Sequence, residues 1–553
     1  MSFCSNTSQQ MHLSDPIYQL TDREQKRLKN SWAEKFSNDI FPLINEERFS
    51  VIYSDNPATR PNNPVNVYFG LLILKEIFTQ TDEECIDSLM FDVRYQYALH
   101  TTSFKEQPIS KNSLSNFRMA VYRYNEKHGV DIIQEEIESH AKEFTKLLNI
   151  DGRTIRMDSL MISSSCKKLS RLEIIYSCVS RLITIIRETK AVSLPEMFNP
   201  YLEEGHKNDT IYRCKGKDIQ SKLNTVIKDA KKLYRLYKDM PSIADTEEFH
   251  ILSRMFFEQT KQNSLNGSIE LKPAKEISPE SLQNPTDPDA TYRKKGNNGY
   301  VGYSANIVES FDDDNRIITH YDLKKNTYSD QAFSKDIIDK LGKQSEPTKL
   351  LVDGTYYSED ISKKAAENNM QFIPTGLVGR RTNDKRSGYR PFKIDEANRI
   401  VICCPMGHTP ISSKYKRGTY KAYFLRNHCD DCPFRPNCPV TEQKKRYMFK
   451  VSETKLHRLI LEARMGTEKY RKISTKRAGI EGVPSALRRQ YDIDNLPVRG
   501  QVRSKIWLGF KIGAINCKRY IKGSVRSPKD APPAINAVYL LQVLCFQRTV
   551  AAI

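Results

Sequence analysis

The chain has 553 residues, enough for roughly three or four units that each bury a core. It carries 87 Lys and Arg residues against 67 Asp and Glu residues, a formal charge of +20. This excess favours a large polyanion as partner over a small neutral ligand, with nucleic acid ahead of an anionic membrane. The sequence has no apolar run of membrane-spanning length and no secretory apolar core at its start, so we expect no membrane association and a cytoplasmic protein.

The first 150 residues have the periodicity of short helices. One helix is expected after Pro108 and before Gly129, a residue that commonly ends helices. Its outward face carries Lys111, Asn112 and Arg118. Its inward positions are Leu114, Phe117, Val121 and Tyr124. Short helices that end on a polar, basic one are typical of a helix-turn-helix-like DNA reader, and an ordinary helical bundle with a solvated basic face is the alternative.

A short strand is predicted after Gly152, where the sequence reads TIRMDSLMI. The period-two pattern puts Ile155 and Met157 on one face and Asp158 on the other, so a carboxylate stands inside a strand. Helical periodicity returns from about 166 to 270, and a segment rich in Pro and Asp, about 271–299, has the composition of a linker.

Two strands that pair as an antiparallel hairpin are expected next, YVGYSANIVES and IITHYDL, on either side of the turn FDDDNR. A helix is predicted over roughly 329–342. The apolar run Leu350–Val352 then ends in Asp353, as a buried strand does when it delivers an acid at its carboxyl end, and MQFIP is a further strand. The order strand, hairpin, helix, strand is typical of a ribonuclease-H-like core, a mixed sheet flanked by helices.

Acids in this order point to phosphodiester chemistry. Two divalent ions about 3.5 to 4 Å apart can activate the attacking oxygen and relieve charge on the leaving oxygen, and hard ions such as Mg²⁺ prefer carboxylate ligands. Asp158 and Asp353 suit this role if their strands are neighbours, although either acid alone would more often be a cap or turn residue. The third candidate is Glu481, which stands four residues after Arg477 and either lies within a continuous helix or stands at the entrance of one that begins near Pro484.

Five of the 12 cysteines lie between residues 403 and 438. Cys429 and Cys432 form a C-x2-C pair, and Cys404 opens a Cys-Pro-x-Gly turn. Together with Cys438 these thiols predict a tetrahedral structural zinc site that staples a small β insert. His408 or His428 could substitute as a ligand, and unligated thiols are the alternative.

Basic and aromatic residues alternate around this insert, in GRRTNDKRSGYRPF, KYKRGTYKAYFLR and KKRYMFK. Such mixtures contact phosphates and stack on exposed bases, but they also occur on solvated basic surfaces with buried aromatics. Near the end of the sequence, INAVYLLQVLCF is too short to span a membrane and is expected to be a docked helix or an oligomer contact.

Several of these segments together resemble the DDE transposases of bacterial insertion sequences, in the group with a Tyr-x2-Arg-x3-Glu-x6-Lys motif. The resemblance covers most of residues 50–520. The matching segments are NPVNVYFGLLILKEI to NSLSNFRMAVYRY, MDSLMI, DPDATY...GY, LLVDGTYYS, RAGIEGVPS, RGQVRSK and GAINCKRY. Two motif positions differ, because Ser474 replaces the Tyr, with Tyr470 one turn earlier, and Arg488 replaces the Lys.

The resemblance implies a DNA transposase that cuts element ends and joins them to target DNA, using two Mg²⁺ or Mn²⁺ ions held by Asp158, Asp353 and Glu481. It further implies that Arg477 and Arg488 hold the DNA end, that a similar cysteine insert precedes the last acid, and that at least a dimer forms on DNA, in the cytoplasm at the nucleoid. A nuclease or resolvase on the same core, and a catalytically inactive DNA-binding relative, are the alternatives.

The expected fold class is α/β, with a ribonuclease-H-like core, a helical N-terminal domain, a helical insert and a zinc-stapled β insert. The expected boundaries are 1–150 for the DNA-binding domain, 151–395 for the first part of the core, 396–445 for the cysteine insert, 446–530 for the second part of the core and 531–553 for a C-terminal helix or tail.

Overall fold

The computed structural model describes residues 1–6, 16–101, 109–189, 192–213, 215–261, 267–379 and 392–526. These ranges contain a mixed parallel and antiparallel sheet and many helices, so the α/β class is confirmed. The chain divides into two compact units. Unit 1 comprises Met1–Gly152, Ser159–Tyr328 and the described residues from Gly482 onward, and unit 2 comprises Arg153–Asp158 and Ser329–Glu481. The domain boundaries expected from the sequence stay predictions.

Unit 1 begins with a bundle of short helices. They are α1 (Asp22–Lys29), α2 (Trp32–Lys35), α3 (Val65–Phe78), α4 (Asp82–Phe91), α5 (Val93–Ala98), α6 (Lys111–His128) and α7 (Ile132–Leu147). α6 follows most of its prediction, since Leu114, Phe117 and Val121 are buried and Gly129 ends the helix with φ 69°. Tyr124, also predicted to face inward, is only half-buried, and the next residue, Asn125, is buried. Amphipathic spacing thus decides which face of α6 enters the core.

A long helix in the same unit, α18 (Gln501–Arg526), packs against α3 and α7. Its apolar face is interrupted by glycines that allow close approach: a Cβ at Gly513 would lie 2.6 Å from the Ile73 Cδ1. The Lys511 ammonium is buried on this helix and lies 2.8 Å from the Glu76 carboxylate of α3. Because one buried charge without its partner is costly, loss of either residue would destabilise the α3–α18 packing.

The segment predicted to be helical after residue 166 forms α8 (Arg171–Glu188), α9 (Ile219–Tyr237), α10 (Pro241–Ala244) and α11 (Glu247–Gln259), which share one apolar core. The predicted linker that follows is ordered where the structure describes it and carries β2 (Thr291–Lys295). Asp287 in this segment is fully buried and accepts hydrogen bonds from the Ser164 hydroxyl, the Tyr303 hydroxyl and the Gly500 amide. This Pro- and Asp-rich segment is therefore packed against other parts of unit 1 through the buried Asp287.

The predicted hairpin is present as β3 (Asn298–Phe311) and β4 (Arg316–Lys325), which pair antiparallel with a register shift at Val308/Glu309. β2 pairs antiparallel with the start of β3. β1 (Thr154–Ser163) enters unit 1 with its last five residues, beside β3. Gly302 of β3 is required there, since a Cβ at this residue would lie 2.2 Å from the Ile162 carbonyl oxygen.

Unit 2 contains the first residues of β1 together with β5 (Thr348–Val352) and β6 (Met370–Pro374), all parallel. Helices α12 (Asp330–Leu341) and α13 (Glu359–Glu367) connect and cover these strands. The helix predicted over 329–342 and the strand MQFIP are confirmed. Leu350, Leu351 and Val352 of β5 are buried, so the end of the strand is covered on both faces, as expected for an interior strand of a parallel sheet.

The cysteine-rich part of unit 2 is a β insert. Its strands are β7 (Lys393–Asp395), β8 (Ile400–Cys403), β9 (Ser412–Lys416), β10 (Thr419–Leu425), β11 (Val440–Glu442) and β12 (Arg446–Ser452), with the short α14 (Arg426–Asp430) between β10 and β11. β11, β12, β10 and β9 form an antiparallel sheet in that order. One face alternates inward with Tyr420, Phe424 and Phe449 and builds a small core. A core of this size stabilises the insert only weakly, so an additional stabilising element such as a structural metal ion is favoured.

Two further helices, α15 (Glu453–Met465) and α16 (Glu468–Ala478), complete unit 2, and α17 (Gly482–Gln490) follows in unit 1. None of the helices in the described part of the chain combines the length and apolar character needed to cross a lipid bilayer. The segment INAVYLLQVLCF and most of GRRTNDKRSGYRPF lie outside the described residues.

Candidate active site

Asp158 and Asp353 lie on neighbouring strands of unit 2. β1 and β5 pair in parallel through Thr154↔Lys349, Ile155↔Leu350 and Arg156↔Leu351. Asp158 follows the last of these pairs by two residues inside β1, and Asp353 directly follows the end of β5 at Val352. Adjacent strands are about 4.8 Å apart. The strands before or around the two acids are therefore neighbours. This was the requirement predicted from the sequence for a metal site shared by Asp158 and Asp353.

Asp353 is held by a close backbone approach at the end of β5. It precedes a 3-10 turn, Gly354–Tyr356, whose Tyr356 amide donates to the Asp353 carbonyl oxygen. A Cβ at Gly354 would lie 2.6 Å from the Gly376 carbonyl carbon, so the loop after β6 passes directly against this turn. A Cβ at Gly376 would lie 3.8 Å from the Asp353 Oδ1, which leaves room beside the carboxylate.

Glu481 stands at a break in the helical path. α16 ends at Ala478, a 3-10 turn spans Gly479–Glu481, and α17 begins at Gly482 with Pro484 in its first turn. Of the two predicted alternatives, the structure has the helix entrance rather than a continuous α-helix, because Pro lacks the amide that an interior turn requires. The Glu481 side chain is 62% exposed.

Arg477 bridges two of the three acids. Its Nη2 donates to the Glu481 Oε1 at 2.7 Å, and its Nη1 lies 3.8 Å from the Asp158 Oδ2. The Arg477 side chain is only 12% exposed, and its buried Nε has no hydrogen-bond partner among the described residues. One guanidinium thus partly neutralises two carboxylates that would otherwise repel each other.

The turn that carries Arg477 and Glu481 is anchored to β1 by Arg156. This buried guanidinium donates to the Lys476 carbonyl oxygen, and Gly479 leaves the space it needs, since a Cβ there would lie 2.3 Å from the Arg156 Nη1. At the other end of α16, the Tyr470 hydroxyl donates to the Pro374 carbonyl oxygen. Burial raises the pKa of Tyr470 to about 12, so this hydroxyl keeps its proton.

The three acids fit a hard divalent ion by the chemistry of their oxygens, but their ligand atoms are not gathered as closely as 4.8 Å from one another in the described structure. A more compact group of metal-ligating side chains is formed by Glu359, Glu453 and His457. Its carboxylates already contact Lys363 and the Tyr415 hydroxyl, so ion pairs and hydrogen bonds within the protein explain the cluster.

The cysteines of the insert form a second cluster of potential ligands. Cys404, Cys429 and Cys438 pack against the small core of the β insert, and these thiols are not joined in disulfides. Burial, followed by the neighbouring thiols Cys438, Cys432 and Cys404, raises the pKa of Cys429 to about 11. The four sulfurs thus lie near enough to affect one another's ionisation, although no three of them lie mutually within 4.8 Å.

A histidine beside this cluster supports its fit to a metal. The His428 ring stacks on His408 at a centroid distance of 4.4 Å, and its buried Nδ1 has no hydrogen-bond partner among the described residues. A buried imidazole nitrogen without a partner costs free energy unless a ligand is provided. The thiols and this nitrogen are the ligand types that zinc prefers.

The predicted DNA-contacting residues are distributed over both units. Lys111 and Asn112 are exposed at the start of α6, where the Lys111 ammonium lies 2.5 Å from Glu83. Arg118 is half-buried and paired with Asp82, so it is less available than its sequence position suggests. Arg488, which like these residues belongs to unit 1, donates to the Met161 carbonyl oxygen at 3.2 Å. Arg477 belongs to unit 2.

The basic and aromatic residues of the insert strands support the two interpretations of the sequence in part each: some of them can contact DNA, and others are buried. Tyr420, Phe424 and Tyr447 are buried in its core and cannot stack on a base. Tyr423 is covered by the Arg446 guanidinium, 3.7 Å from its ring centroid. The exposed lysines of these strands remain able to contact phosphates.

Arg156 and Gly479 are site residues that sequence reasoning missed. The signal was an Arg two positions before Asp158, which the period-two pattern places on the same face as that acid. The partner of this Arg lies 320 residues away, however, and no spacing rule could identify it.

A comparison with protein families finds that residues 403–521 match the model of a transposase DDE domain. This range is about a fifth of the chain and includes the cysteine cluster, Arg477, Glu481 and Arg488. No curated protein and no solved structure matches the chain. Over these residues the chain is therefore similar to the DDE domain of transposases.

Proposed function

We propose that the protein is a DNA transposase that cuts the ends of an insertion sequence and joins them to target DNA, with Asp158, Asp353 and Glu481 as its metal-binding acids. The observation that supports the proposal is the parallel pairing of β1, which contains Asp158, with β5, which ends immediately before Asp353, together with the Arg477 contacts to Asp158 and Glu481. The family match over the last acid supports the same conclusion.

Three acids of the chain would hold the metal ions at which the DNA reacts. Asp158 and Asp353 offer oxygens from two adjacent strands, and Glu481 offers a third from an exposed turn. Two divalent ions bound there would activate the attacking oxygen and relieve charge on the leaving oxygen. Water attacks the phosphodiester at the element end and frees a 3′ hydroxyl, which then attacks a target phosphodiester and releases the target's 3′ oxygen.

Arg477 would exchange its partners during this reaction. In the structure its guanidinium contacts Asp158 and Glu481. Once the acids bind cations, the same guanidinium is free to form a bidentate contact with a DNA phosphate. Arg156 and Gly479 act as positioning residues, because they fix the turn on which Arg477 and Glu481 stand.

The finer features of the proposal follow from the same pattern. The core would be ribonuclease-H-like, with β1, the β3–β4 hairpin and β5 carrying or flanking the first two acids. Cys404, Cys429, Cys432 and Cys438 would hold a structural zinc ion, and Lys111, Asn112, Arg118, Arg477 and Arg488 would contact DNA. Pairing of two element ends would require at least a dimer on DNA.

The test is an end-cleavage and strand-transfer assay with the purified protein and labelled DNA carrying the inverted repeats that flank the coding region. With Mg²⁺ we expect both cleaved ends and covalent joint products, and with EDTA neither. Cleavage without joint products would favour the nuclease or resolvase. Binding without cleavage in either Mg²⁺ or Mn²⁺ would favour the inactive DNA-binding relative.

Gly479→Ala is expected to slow end cleavage by roughly 10- to 100-fold, because a displacement of about 1 Å in a supporting element has such effects. The new Cβ would lie 2.3 Å from the Arg156 Nη1 and displace the guanidinium that anchors the turn. Gly482→Ala is the matched control, since a Cβ there meets no heavy atom within 4 Å. Cleavage rates and DNA affinity are measured for both variants, and equal rates would contradict the positioning role.

A further inference from the structure

A cavity of about 420 Å³ lies in unit 1, and none of the three acids lines it. Its walls come from the segment after β1, from α8, from the loop 284–286, and from single residues elsewhere in the unit. The volume is in the range of ligand-binding pockets, about 300 to 1,000 Å³, and exceeds what a single small ion needs.

The walls of this cavity are strongly basic. Lys167, Arg181, Lys207 and Arg499 line it, against one acid, Glu173. Burial raises the pKa of Glu173, but hydrogen bonds from Ser170 and Lys167 outweigh it and leave the pKa lowered, so the carboxylate is ionised. An excess of three positive charges in one cavity selects for an anion.

The four cationic side chains differ in whether they already have hydrogen-bond or ion-pair partners within the protein. Arg181 donates to the Pro285 carbonyl oxygen, and the Lys167 ammonium lies 3.3 Å from both the Glu173 carboxylate and the Tyr212 hydroxyl. Lys207 and Arg499 are exposed, and neither has an ion-pair partner within the described ranges. Two cations thus already have partners within the protein, and two are available to an incoming anion.

An aromatic ring and hydroxyl groups complete the lining. The Tyr212 side chain is 54% exposed, and the Lys167 ammonium lies 5.1 Å from its ring centroid. Ser177 and Ser180 face the cavity from α8, beside Arg181. Cations that bind phosphate, an exposed ring that can stack on a base and hydroxyls that can contact a sugar are the elements of a nucleotide-sized site on a nucleic-acid strand.

We propose that this basic cavity is a second DNA-binding site, which takes a backbone phosphate and its nucleoside from the strand bound by the enzyme. Lys207 and Arg499 would neutralise the phosphate, and Tyr212 would contact the nucleoside. The inference rests on the proposed function, because it names DNA as the ligand, but it assigns residues that the reaction with the three acids does not use.

The experiment measures binding of the full-length protein to labelled element-end DNA by fluorescence anisotropy over a series of salt concentrations. Lys207→Ala and Arg499→Ala are each expected to weaken binding roughly five- to tenfold and to lower the slope of log K against log salt by about 1, as loss of one phosphate contact does. Lys207→Arg should retain most of the affinity. Lys228→Ala is the control, because this exposed lysine of α9 does not line the cavity.

The outcomes separate this inference from the proposed function. If the wild type neither binds nor cuts element ends, the transposase proposal fails. If it binds and cuts, and both alanine variants match Lys228→Ala in affinity and salt slope, the cavity is not a DNA site and the transposase proposal stands.

Binding of labelled dAMP tests whether the phosphate in this cavity comes from a free nucleotide rather than from DNA. Tight dAMP binding that Lys207→Ala and Arg499→Ala abolish, with DNA affinity unchanged, would make the cavity a free-nucleotide site and overturn the assignment to DNA.

Discussion

Asp158→Asn and Asp353→Asn are each expected to slow end cleavage and joining by at least about a thousandfold, because each substitution removes an anionic ligand from a two-metal site. Asp158 stands inside β1 and Asp353 directly after the neighbouring β5, and the proposal gives both the same role as metal ligands, so their losses should be similar in size. Both variants should still bind element-end DNA, since neither acid supplies positive charge. Cleavage is measured by single-turnover kinetics in Mg²⁺ and binding by anisotropy.

Asp360→Asn is the matched control for this experiment. Asp360 is an exposed acid in the same unit, on α13, seven residues after Asp353. It should cut and join at the wild-type rate. Calorimetric titration with Mn²⁺ adds a readout that does not depend on activity: the wild type should take up the metal, and the two site variants should not. Wild-type cleavage by Asp158→Asn or Asp353→Asn would remove these residues from the site.

Replacement of Cys429 or Cys432 by serine is expected to abolish zinc binding and to unfold the β insert. The insert has only a small apolar core, and zinc binding to thiolates contributes about 10 to 16 kcal/mol in zinc-finger peptides. Such a loss exceeds the stability of most domains. Zinc content is measured by elemental analysis of the purified protein, and unfolding of the insert by limited proteolysis between β7 and β12.

Cys403→Ala is the control for the zinc experiment. Cys403 is adjacent to Cys404 in sequence, but it is buried at the end of β8 and is not one of the proposed ligands. The variant should keep the zinc ion. A wild-type protein purified without zinc, with an insert that resists proteolysis after chelation, would show that the thiols are unligated and that apolar packing alone holds the insert.

Local patterns allowed much of the secondary structure to be predicted. The placement of Asp158 inside a strand, the end of β5 at Val352 immediately before Asp353, and the end of α6 at Gly129 are all confirmed. These features depend on residues within one or two turns of each other. Burial periodicity, caps and turn residues act over that range and are visible in a linear sequence.

The interpretation of 271–299 as a linker shows where composition is insufficient. The segment is rich in Pro and Asp, yet Asp287 is buried and accepts three hydrogen bonds from parts of the chain that lie up to 213 residues away. A buried carboxylate is stable only with such donors. Their positions cannot be read from the segment itself.

The sequence by itself determined the types of the elements, the order in which the three acids occur and the cysteine pattern of the insert, because each depends on neighbouring residues. Only the tertiary structure decided the parallel pairing that sets β1 beside β5, the contact of Arg477 with Asp158, and the space that Gly479 leaves for Arg156. These contacts join segments more than 100 residues apart. Side-chain packing between such segments has no period or spacing, so it is decided when the whole chain folds.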